Sequence, residues 1–338
     1  MVIIRPRFSF TFSRKVSTII NSMTIGRPAE MGPNIFRLTH ADAKELPVEK
    51  VVDLYFKKYL PISSCLPTPL NRPQEPLIFI PGLFGSTKMY KKEIQRLCNL
   101  LNIPVYAVDL RSHGQSKYAL PLSFNAYVSD MVAFMKQQGI ERANVSGFSL
   151  GGKVAMALAL KHPELVSKTL VVDISPATQI HLSPMIDSFI KGLTHVVEDA
   201  GINSKDKDWF EQADNALEKH VPHKPTRRYL LNTNLLREHP VKKDGKVHLK
   251  CALYHFKSSE ILGWPEDEFK GKTYLGPVLF LKAKHSDFIQ DSHMDQIEQY
   301  FPNYEIREVN TYHLIPNERP DFLIQNFANF IGKKESSF

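Results

Sequence analysis

The sequence predicts an α/β fold in which a mostly parallel central sheet is flanked by helices and carries a helical cap insertion. Short apolar runs alternate with segments of helical period from about residue 74 to residue 332, which is typical of a parallel sheet. Between residues 177 and 273 the periodicity is helical only. We therefore divide the chain into a segment 1–29, an N-terminal extension 30–73, a core in two parts (74–176 and 274–332) and the cap 177–273.

The core elements are predicted in chain order from apolar runs and turn residues. The run Leu77–Pro81 lies between Pro76 and Gly82 and is apolar throughout, which is typical of a strand buried on both faces. The helix that starts at Leu150 has to end before Pro163, because the residue before a proline disfavours helical backbone. The same reasoning predicts strands at 104–110, 143–146, 169–174, 277–282 and 305–309, and helices at 88–101, 124–138, 150–161, 293–301 and 320–331.

The cap is predicted to be helical and to cover the sheet. One apolar stripe of helical period runs from Met185 to Val197, and another begins at Trp209. The turn Lys243–Lys246 indicates a tight hairpin or a loop that ends a helix. Such sheets bind ligands at the carboxyl ends of their strands, so we expect the insertion to cover a binding site. A packing layer without any contact to a ligand is the alternative.

The positive charge of the chain is concentrated at its N-terminus. The whole sequence has a net charge of +8, and residues 1–29 contain five Arg and Lys residues but no Asp or Glu. A basic, acid-free segment rich in Ser and Thr is typical of a mitochondrial transit peptide, so we expect a mitochondrial protein. The alternative is a basic tail without a targeting role. Without this segment the charge is +3 (8 − 5), and no basic patch with interleaved aromatic residues indicates a nucleic-acid partner.

Neither a membrane span nor a metal site is predicted. The sequence contains no run of 18 apolar residues. Cys65, Cys98 and Cys251 are far apart and form neither a C-x-x-C pair nor a disulfide framework, which suits a reducing compartment and a packing role. The 13 histidines include no H-E-x-x-H pattern, so we expect no metal and no bound cofactor.

The stretch NVSGFSLGGKVAM, which begins at Asn144, fits two motifs with different chemistry. Its G-x-x-x-x-G-K spacing matches a phosphate-binding loop, but that loop needs Ser or Thr after the lysine to hold magnesium, and this chain has Val154. The same stretch contains G-x-S-x-G, the turn that presents a nucleophilic serine between a strand and a helix. The flanking strand and helix fit the second motif. They predict Ser149 as a nucleophile and Lys153 as a solvated residue early in the helix.

A serine nucleophile requires a base and an orienting acid, and in this kind of site both follow the serine in the chain, acid first. His313 lies in the loop after the last predicted strand and is the favoured base, with His285 as its competitor. Asp173 ends the strand after the serine helix, whereas Asp287 follows the next strand, the commoner placement of the acid. The residue pattern alone leaves both acids open.

Several motifs spread over residues 74 to 332 carry a resemblance to a known superfamily. They are PGLFGS from Pro81, VDLRSHGQS from Val108, GFSLGGKVAM from Gly147, VDISP from Val172, YLLNTNL from Tyr229, YLGPVLFL from Tyr274 and HLIPNERP from His313. With these motifs the chain resembles the α/β-hydrolase superfamily. Within it, the chain is most similar to a mitochondrial branch of abhydrolase-domain-11-type proteins, related bacterial esterases and the fungal ethanol acetyltransferases.

The resemblance implies a role for each candidate residue. In that branch the acid follows the strand after the serine turn, 24 residues beyond the serine, which implies Asp173 and leaves Asp287 as runner-up. Ser149 would then attack an acyl carbonyl, and His313 would take the serine's proton. The backbone N–H groups of Leu83 and Leu150 are expected to bind the oxyanion that forms during this attack.

Some positions near the site depart from the family pattern or serve as support. Pro81 replaces the usual His before the glycine, Phe148 replaces the common His before the nucleophile, and Tyr312 replaces the Gly before the base. We expect these substitutions to make the pocket apolar and bulky and to favour a short acyl chain such as acetyl. Arg111 and His113 are expected to brace the loop near the site without taking part in the chemistry.

The resemblance to the fungal enzymes implies an alcohol O-acetyltransferase that makes ethyl acetate from acetyl-CoA and ethanol, with side esterase or thioesterase activity. Its partners would be small molecules, an acyl donor and an alcohol or water. One alternative is a mitochondrial serine esterase or thioesterase, in which water resolves the acyl-serine. Another is a non-catalytic binding protein with the same fold. The first two share one triad, so they differ in how well the cap excludes water and positions an alcohol.

Overall fold

The computed structural model describes residues 25–26, 46–62, 75–239, 243–250 and 253–332. Cys65, Cys251 and most of the predicted transit segment lie outside these residues. Cys98 is a buried free thiol, as the packing role requires.

The strands of the structure form one large sheet and one small hairpin. In chain order they are Ile25–Gly26 (β1), Phe56–Tyr59 (β2), Leu77–Ile80 (β3), Val105–Val108 (β4), Ala143–Phe148 (β5), Val166–Val172 (β6), Leu235–Leu236 (β7), His248–Leu249 (β8), Val278–Ala283 (β9) and Tyr304–Val309 (β10). The large sheet has the order β1-β2-β4-β3-β5-β6-β9-β10, while β7 and β8 pair separately. In the large sheet the neighbouring strands β4, β3, β5, β6, β9 and β10 are all parallel. Strands β1 and β2 extend the β4 edge in antiparallel pairs.

The helices follow the strands in an alternating pattern and lie on both sides of the sheet. They are Lys91–Leu101 (α1), Phe124–Gln137 (α2), Leu150–Lys161 (α3), Ser183–Glu198 (α4), Trp209–Glu218 (α5), Lys224–Asn234 (α6), Ser258–Leu262 (α7), Glu266–Phe269 (α8), Met294–Tyr300 (α9), Ile315–Glu318 (α10) and Pro320–Gly332 (α11). Helix α1 packs against α11, and α2 packs against α3. Strands β3 to β6 are buried at every residue because helices cover both of their faces.

The predicted α/β class is confirmed, and the differences are local. Strand β6 starts three residues earlier than predicted and ends at Val172, so Asp173 lies just beyond it. Strand β2, in the predicted N-terminal extension, was not foreseen because its sequence, FKKY, places two lysines between its buried aromatic ends. Two residues of the predicted transit segment, Ile25–Gly26, pair with β2.

The described part of residues 183–269 contains the helices α4 to α8 and the β7–β8 hairpin, all between β6 and β9 in the chain. The predicted stripes correspond to α4, where Ile186, Leu193 and Val196 are buried, and to α5. The turn that includes Lys243 and Gly245 has positive φ at both residues and lies between β7 and β8, so it belongs to the hairpin.

Candidate active site

The serine of the G-x-S-x-G motif lies at a sharp turn between β5 and α3. Ser149 has φ 52° and ψ −120°, a conformation that few non-glycine residues adopt. The turn is possible only because its flanking residues lack side chains. A Cβ at Gly147 would lie 2.1 Å from the carbonyl oxygen of Gly151, and one at Gly151 would lie 2.3 Å from that of Ile80. The local sequence therefore produces the predicted strand, turn and helix.

The structure brings Asp173 and His313 together. Nδ1 of His313 lies 2.8 Å from Oδ2 of Asp173, and the second carboxylate oxygen accepts a hydrogen bond of 2.8 Å from the N–H of Ala283. Asp173 is fully buried and has a positive φ of 49° directly after β6. An ionised carboxylate only accepts hydrogen bonds, so Nδ1 carries a proton and Nε2 remains available as a base.

The competing candidates lie elsewhere. His285 is exposed, and its Nε2 lies 2.7 Å from Oδ1 of Asn310. Asp287 is also exposed. The carboxylate that contacts His313 is that of Asp173, directly after β6. The geometry therefore favours His313 over His285 and Asp173 over Asp287.

Two phenyl rings pack against the imidazole of His313. Phe288 stacks on it with 3.9 Å between ring centroids and an interplanar angle of 19°. Phe148 lies 4.9 Å away at an angle of 38°. Phe148 was identified from the sequence because it precedes Ser149, but no sequence pattern pointed to Phe288, which reaches the ring only through the tertiary fold. Together the two rings restrict the orientation of the imidazole and cover part of its surface.

A cavity of about 80 Å³ lies against Ser149 and His313. Its wall is almost entirely apolar and comes from both the core and the insertion. Core residues that line it include Leu83, Phe84, Phe148, Leu150, Ile174, Phe288 and Leu314, and the insertion contributes Met185, Ile186, Phe189, Thr226, Tyr229, Leu230, Ile261 and Leu262. The insertion therefore forms part of the wall of the site, as a cap does.

Of the three substitutions expected to make this pocket apolar and bulky, only Phe148 lines it. Tyr312 is 54% exposed, and its ring packs against His223 and His285 at the surface. Pro81 is buried but is not one of the lining residues. The expectation was wrong for these two positions, because neighbours of a site residue in the chain need not face the same cavity.

The two residues expected to bind an oxyanion both line the cavity. Leu150 is the first residue of α3, so its N–H has no acceptor within its own helix. Leu83 lies in the loop after β3, where Phe84 has φ 57° and the N–H of Gly85 bonds to the carbonyl of Gly82 at 2.8 Å. The N-terminus of α3 and the loop after β3 thus both lie at the cavity that Ser149 lines.

Lys153 is buried, so the expectation of a solvated lysine was wrong. Its side chain donates to the carbonyl oxygens of Ala177, Leu262 and Gly263 at 2.9, 2.7 and 2.9 Å. Burial lowers the pKa of Lys153 to about 7. The physical reason is that the two ends of the insertion lie over the first turn of α3, where their carbonyl groups surround the Lys153 side chain.

Arg111 and His113 have partners in the loop and in α2. Nε and Nη2 of Arg111 bond to the two carboxylate oxygens of Asp130 at 2.6 and 2.7 Å, and both side chains are fully buried. Nδ1 of His113 lies 2.9 Å from the carbonyl oxygen of Arg111, and burial lowers the pKa of His113 to about 4. These contacts are those of residues that brace the loop.

Within the described ranges, no cluster of three or more His, Cys, Asp or Glu side chains is suited to a metal ion. In the same part of the chain, none of the helices combines the length and the apolar character that a membrane crossing requires.

The sheet order, the serine turn and the Asp173–His313 pair are features of a hydrolase-type α/β fold. Residues 75–320 match the family described as alpha/beta hydrolase fold. The chain belongs to this family.

The relatives of the chain narrow the type of activity. It is 36% identical to Ethanol acetyltransferase 1 of Kluyveromyces marxianus over 296 residues. This match covers 84% of this chain and 82% of the relative. It is 29% identical over 301 residues to a Probable alcohol acetyltransferase of Wickerhamomyces anomalus, covering 86% and 88%. A solved marine microorganism esterase is similar with a TM-score of 0.70 and 26% identity, covering 82% of this chain and 99% of the esterase. These similarities support an enzyme of the alcohol acetyltransferase or hydrolase type.

Proposed function

We propose that this protein is an alcohol O-acetyltransferase that makes ethyl acetate from acetyl-CoA and ethanol through an acetyl-serine intermediate. The observation that carries the proposal is the Asp173–His313 pair beside Ser149 at an apolar cavity. The similarity to ethanol acetyltransferases indicates the donor and the acceptor.

The first half of the reaction forms the acetyl-serine. His313 Nε2 takes the proton of the Ser149 hydroxyl as the serine oxygen attacks the thioester carbonyl. The N–H groups of Leu83 and Leu150 stabilise the negative oxygen of the tetrahedral intermediate. The carbon–sulfur bond then breaks, and the thiol of coenzyme A leaves with the proton from His313. Throughout, Asp173 holds the imidazole in place and stabilises its charged form.

The second half transfers the acetyl group to the alcohol. Ethanol gives its hydroxyl proton to His313, and its oxygen forms a bond to the acetyl carbon. The bond between this carbon and the oxygen of Ser149 breaks, the serine recovers the proton, and ethyl acetate leaves. Water follows the same path to acetate. The apolar wall of the cavity favours ethanol, because it offers an ethyl group contact surface and offers water few polar partners.

A serine esterase or thioesterase is the second candidate. It is favoured by the similarity to the marine microorganism esterase, because the structural match covers 99% of the esterase chain. The same three residues would serve, and only the acceptor would differ.

Product partitioning distinguishes the two candidates. The full-length protein would receive acetyl-CoA with and without ethanol, and ethyl acetate and acetate would be measured against a Ser149→Ala variant. Ethyl acetate that depends on Ser149 is the expected result. Acetate alone, undiminished by ethanol, would identify a hydrolase and overturn our proposal. Equal product from the Ser149→Ala variant would exclude the acetyl-serine mechanism.

A further inference from the structure

The loop after β3, residues 82–85, is held by side chains of the insertion. The hydroxyl of Tyr229 donates to the carbonyl oxygen of Leu83 at 3.1 Å. Nδ2 of Asn234 donates to the carbonyl oxygen of Phe84 at 3.0 Å. Both donors are on α6 and both are buried, so two successive peptide groups of the loop are bonded to one helix of the insertion.

Packing leaves little freedom between this loop and α6. A Cβ at Gly85 would lie 2.6 Å from the hydroxyl oxygen of Tyr229, so only glycine fits there. The ring of Phe84 packs edge-on against Phe256 of the insertion at 5.1 Å between centroids. The ring of Tyr229 in turn packs against Phe148, which contacts His313. The loop, α6 and the neighbourhood of the base thus form one packed unit.

The orientation of this loop matters for the reaction proposed above. Leu83 supplies one of the two N–H groups assigned to the oxyanion, and such a donor is effective only when its direction is set before the reaction. Phe84, the next residue, has φ 57°, a conformation that a phenylalanine adopts only when its surroundings hold it. The bonds from Tyr229 and Asn234 fix the two peptide groups that follow the Leu83 N–H.

We propose that Tyr229 and Asn234 are positioning residues. They hold the loop of residues 82–85, and with it the Leu83 N–H, in the orientation that the reaction requires. The insertion thereby takes part in the chemical step in addition to covering the cavity. Helix α6 also supplies Thr226 and Leu230 to the cavity wall. The position of this helix at the cavity and the orientation of the Leu83 N–H are therefore linked. This inference rests on the proposed acyl-serine mechanism.

The test uses the full-length protein with the variants Tyr229→Phe, which removes one donor, and Asn234→Asp, which replaces the donor amide by an acceptor carboxylate of the same shape. The matched controls are Asn232→Asp, an exposed position on the same helix, and Tyr254→Phe, whose hydroxyl bonds to Glu198 of α4. Turnover of acetyl-CoA with ethanol and hydrolysis of p-nitrophenyl acetate would be measured with thermal melting of each variant. Binding of a methyl trifluoromethyl ketone, which forms a tetrahedral adduct with a reactive serine, provides a third readout.

We expect each variant to lower kcat by about tenfold and the double variant by about 10²–10³, the range seen when an oxyanion donor is lost. KM should change less than twofold, and the ketone should bind more weakly in proportion to the loss of kcat/KM. The controls should behave as the wild type. Unchanged kcat, or losses that follow the melting temperature and appear equally in KM, would overturn the inference. A wild type without Ser149-dependent turnover of either substrate would instead overturn the proposed function, and the inference with it.

Discussion

Both carboxylate oxygens of Asp173 are occupied by a specific donor. One faces Nδ1 of His313 and the other faces the backbone N–H of Ala283 on β9. A carboxylate held at two points keeps the imidazole in one orientation and one tautomer, which a general base requires. Asp287, by contrast, is exposed to solvent.

Replacing each acid by asparagine tests this assignment at the scale of single residues. Asp173→Asn should lower kcat for acetyl transfer and for p-nitrophenyl acetate hydrolysis by roughly 10³–10⁴, because an amide opposite Nδ1 favours the wrong tautomer. Asp287→Asn should leave kcat within about twofold of the wild type, because solvent and salt screen the effect of an exposed carboxylate on the charge of His313. A larger loss in Asp287→Asn than in Asp173→Asn would contradict the assignment.

The variant Phe288→Leu tests whether the exclusion of water from His313 determines if ethanol or water accepts the acetyl group. Phe288→Leu removes the ring stacked on His313 and leaves space in which water can approach the base. We expect the ratio of acetate to ethyl acetate to rise by roughly threefold. Phe280→Leu is the control, since Phe280 is equally buried in β9 but does not line the cavity. An unchanged ratio in Phe288→Leu would show that this ring does not select between water and ethanol.

At the level of elements, Lys153 connects α3 to both ends of the insertion. Its ammonium group on α3 bonds to Ala177 before the first helix of the insertion and to Leu262 and Gly263 at the end of α7. Three carbonyl oxygens replace part of its lost hydration, and within the described ranges no carboxylate is among its hydrogen-bond partners. The link therefore rests on the N–H groups of one buried amine.

This amine predicts a pH dependence of stability. Burial lowers the pKa of Lys153 to about 7, whereas the unfolded chain keeps the proton up to its ordinary value of 10.5. Between these values the unfolded state binds more protons, so the free energy of unfolding rises with pH, by at most about 1.4 kcal/mol per unit from this group. Urea titrations of the wild type and Lys153→Met at pH 7 and pH 9 measure this effect. The free energy of unfolding of the wild type should rise relative to that of the variant between pH 7 and pH 9.

The control for this measurement is Lys91→Met, which removes an exposed lysine on α1 and is measured at the same two pH values. A shift with pH that is no larger in Lys153→Met than in this control would mean that the three carbonyl groups keep the amine charged throughout the range.

The buried pair Arg111–Asp130 joins the loop after β4 to α2. Asp130→Ala leaves the guanidinium buried without its counter-ion, so the free energy of unfolding should fall by about 3–5 kcal/mol in urea titrations. Asp321→Ala breaks an exposed pair with Arg96 between α11 and α1, whose side chains are 82% and 58% exposed, and should cost at most about 1 kcal/mol. Similar losses in the two variants would contradict the bracing role.

At the scale of the whole molecule, the charge of the chain is uneven. Five of its basic residues and none of its acidic residues lie within 1–29, a distribution that favours our proposal of a mitochondrial protein. A reporter fused to the C-terminus should co-localise with mitochondria in yeast cells. The same fusion with these five residues changed to Gln should remain in the cytosol, because import requires the positive charge.

A variant with five exposed lysines of the folded part changed to Gln has the same net charge and serves as control; these are Lys88, Lys91, Lys92, Lys207 and Lys219. It should still reach mitochondria. Import of the N-terminal variant would contradict the proposed location.

The fold class and the position of the serine turn were predictable from the sequence, because both depend on local signals. Apolar runs mark the strands, and Gly147 and Gly151 make the sharp bend at Ser149 possible. The helix α3 was predicted with its observed bounds, because proline and glycine limit its ends. Strand β2 was missed because its pairing with β4 outweighs the weak strand signal of its lysines.

Which groups meet around that serine, in contrast, follows from contacts between distant parts of the chain. The pairing of Asp173 with His313 joins residues 140 positions apart, and the residue pattern without a family resemblance left Asp287 equally possible. The burial of Lys153, the stacking of Phe288 and the bonds from Tyr229 and Asn234 depend on how the insertion folds back over the sheet. Local periodicity reports which face of an element is apolar, but it carries no information on the distance between elements remote in the chain.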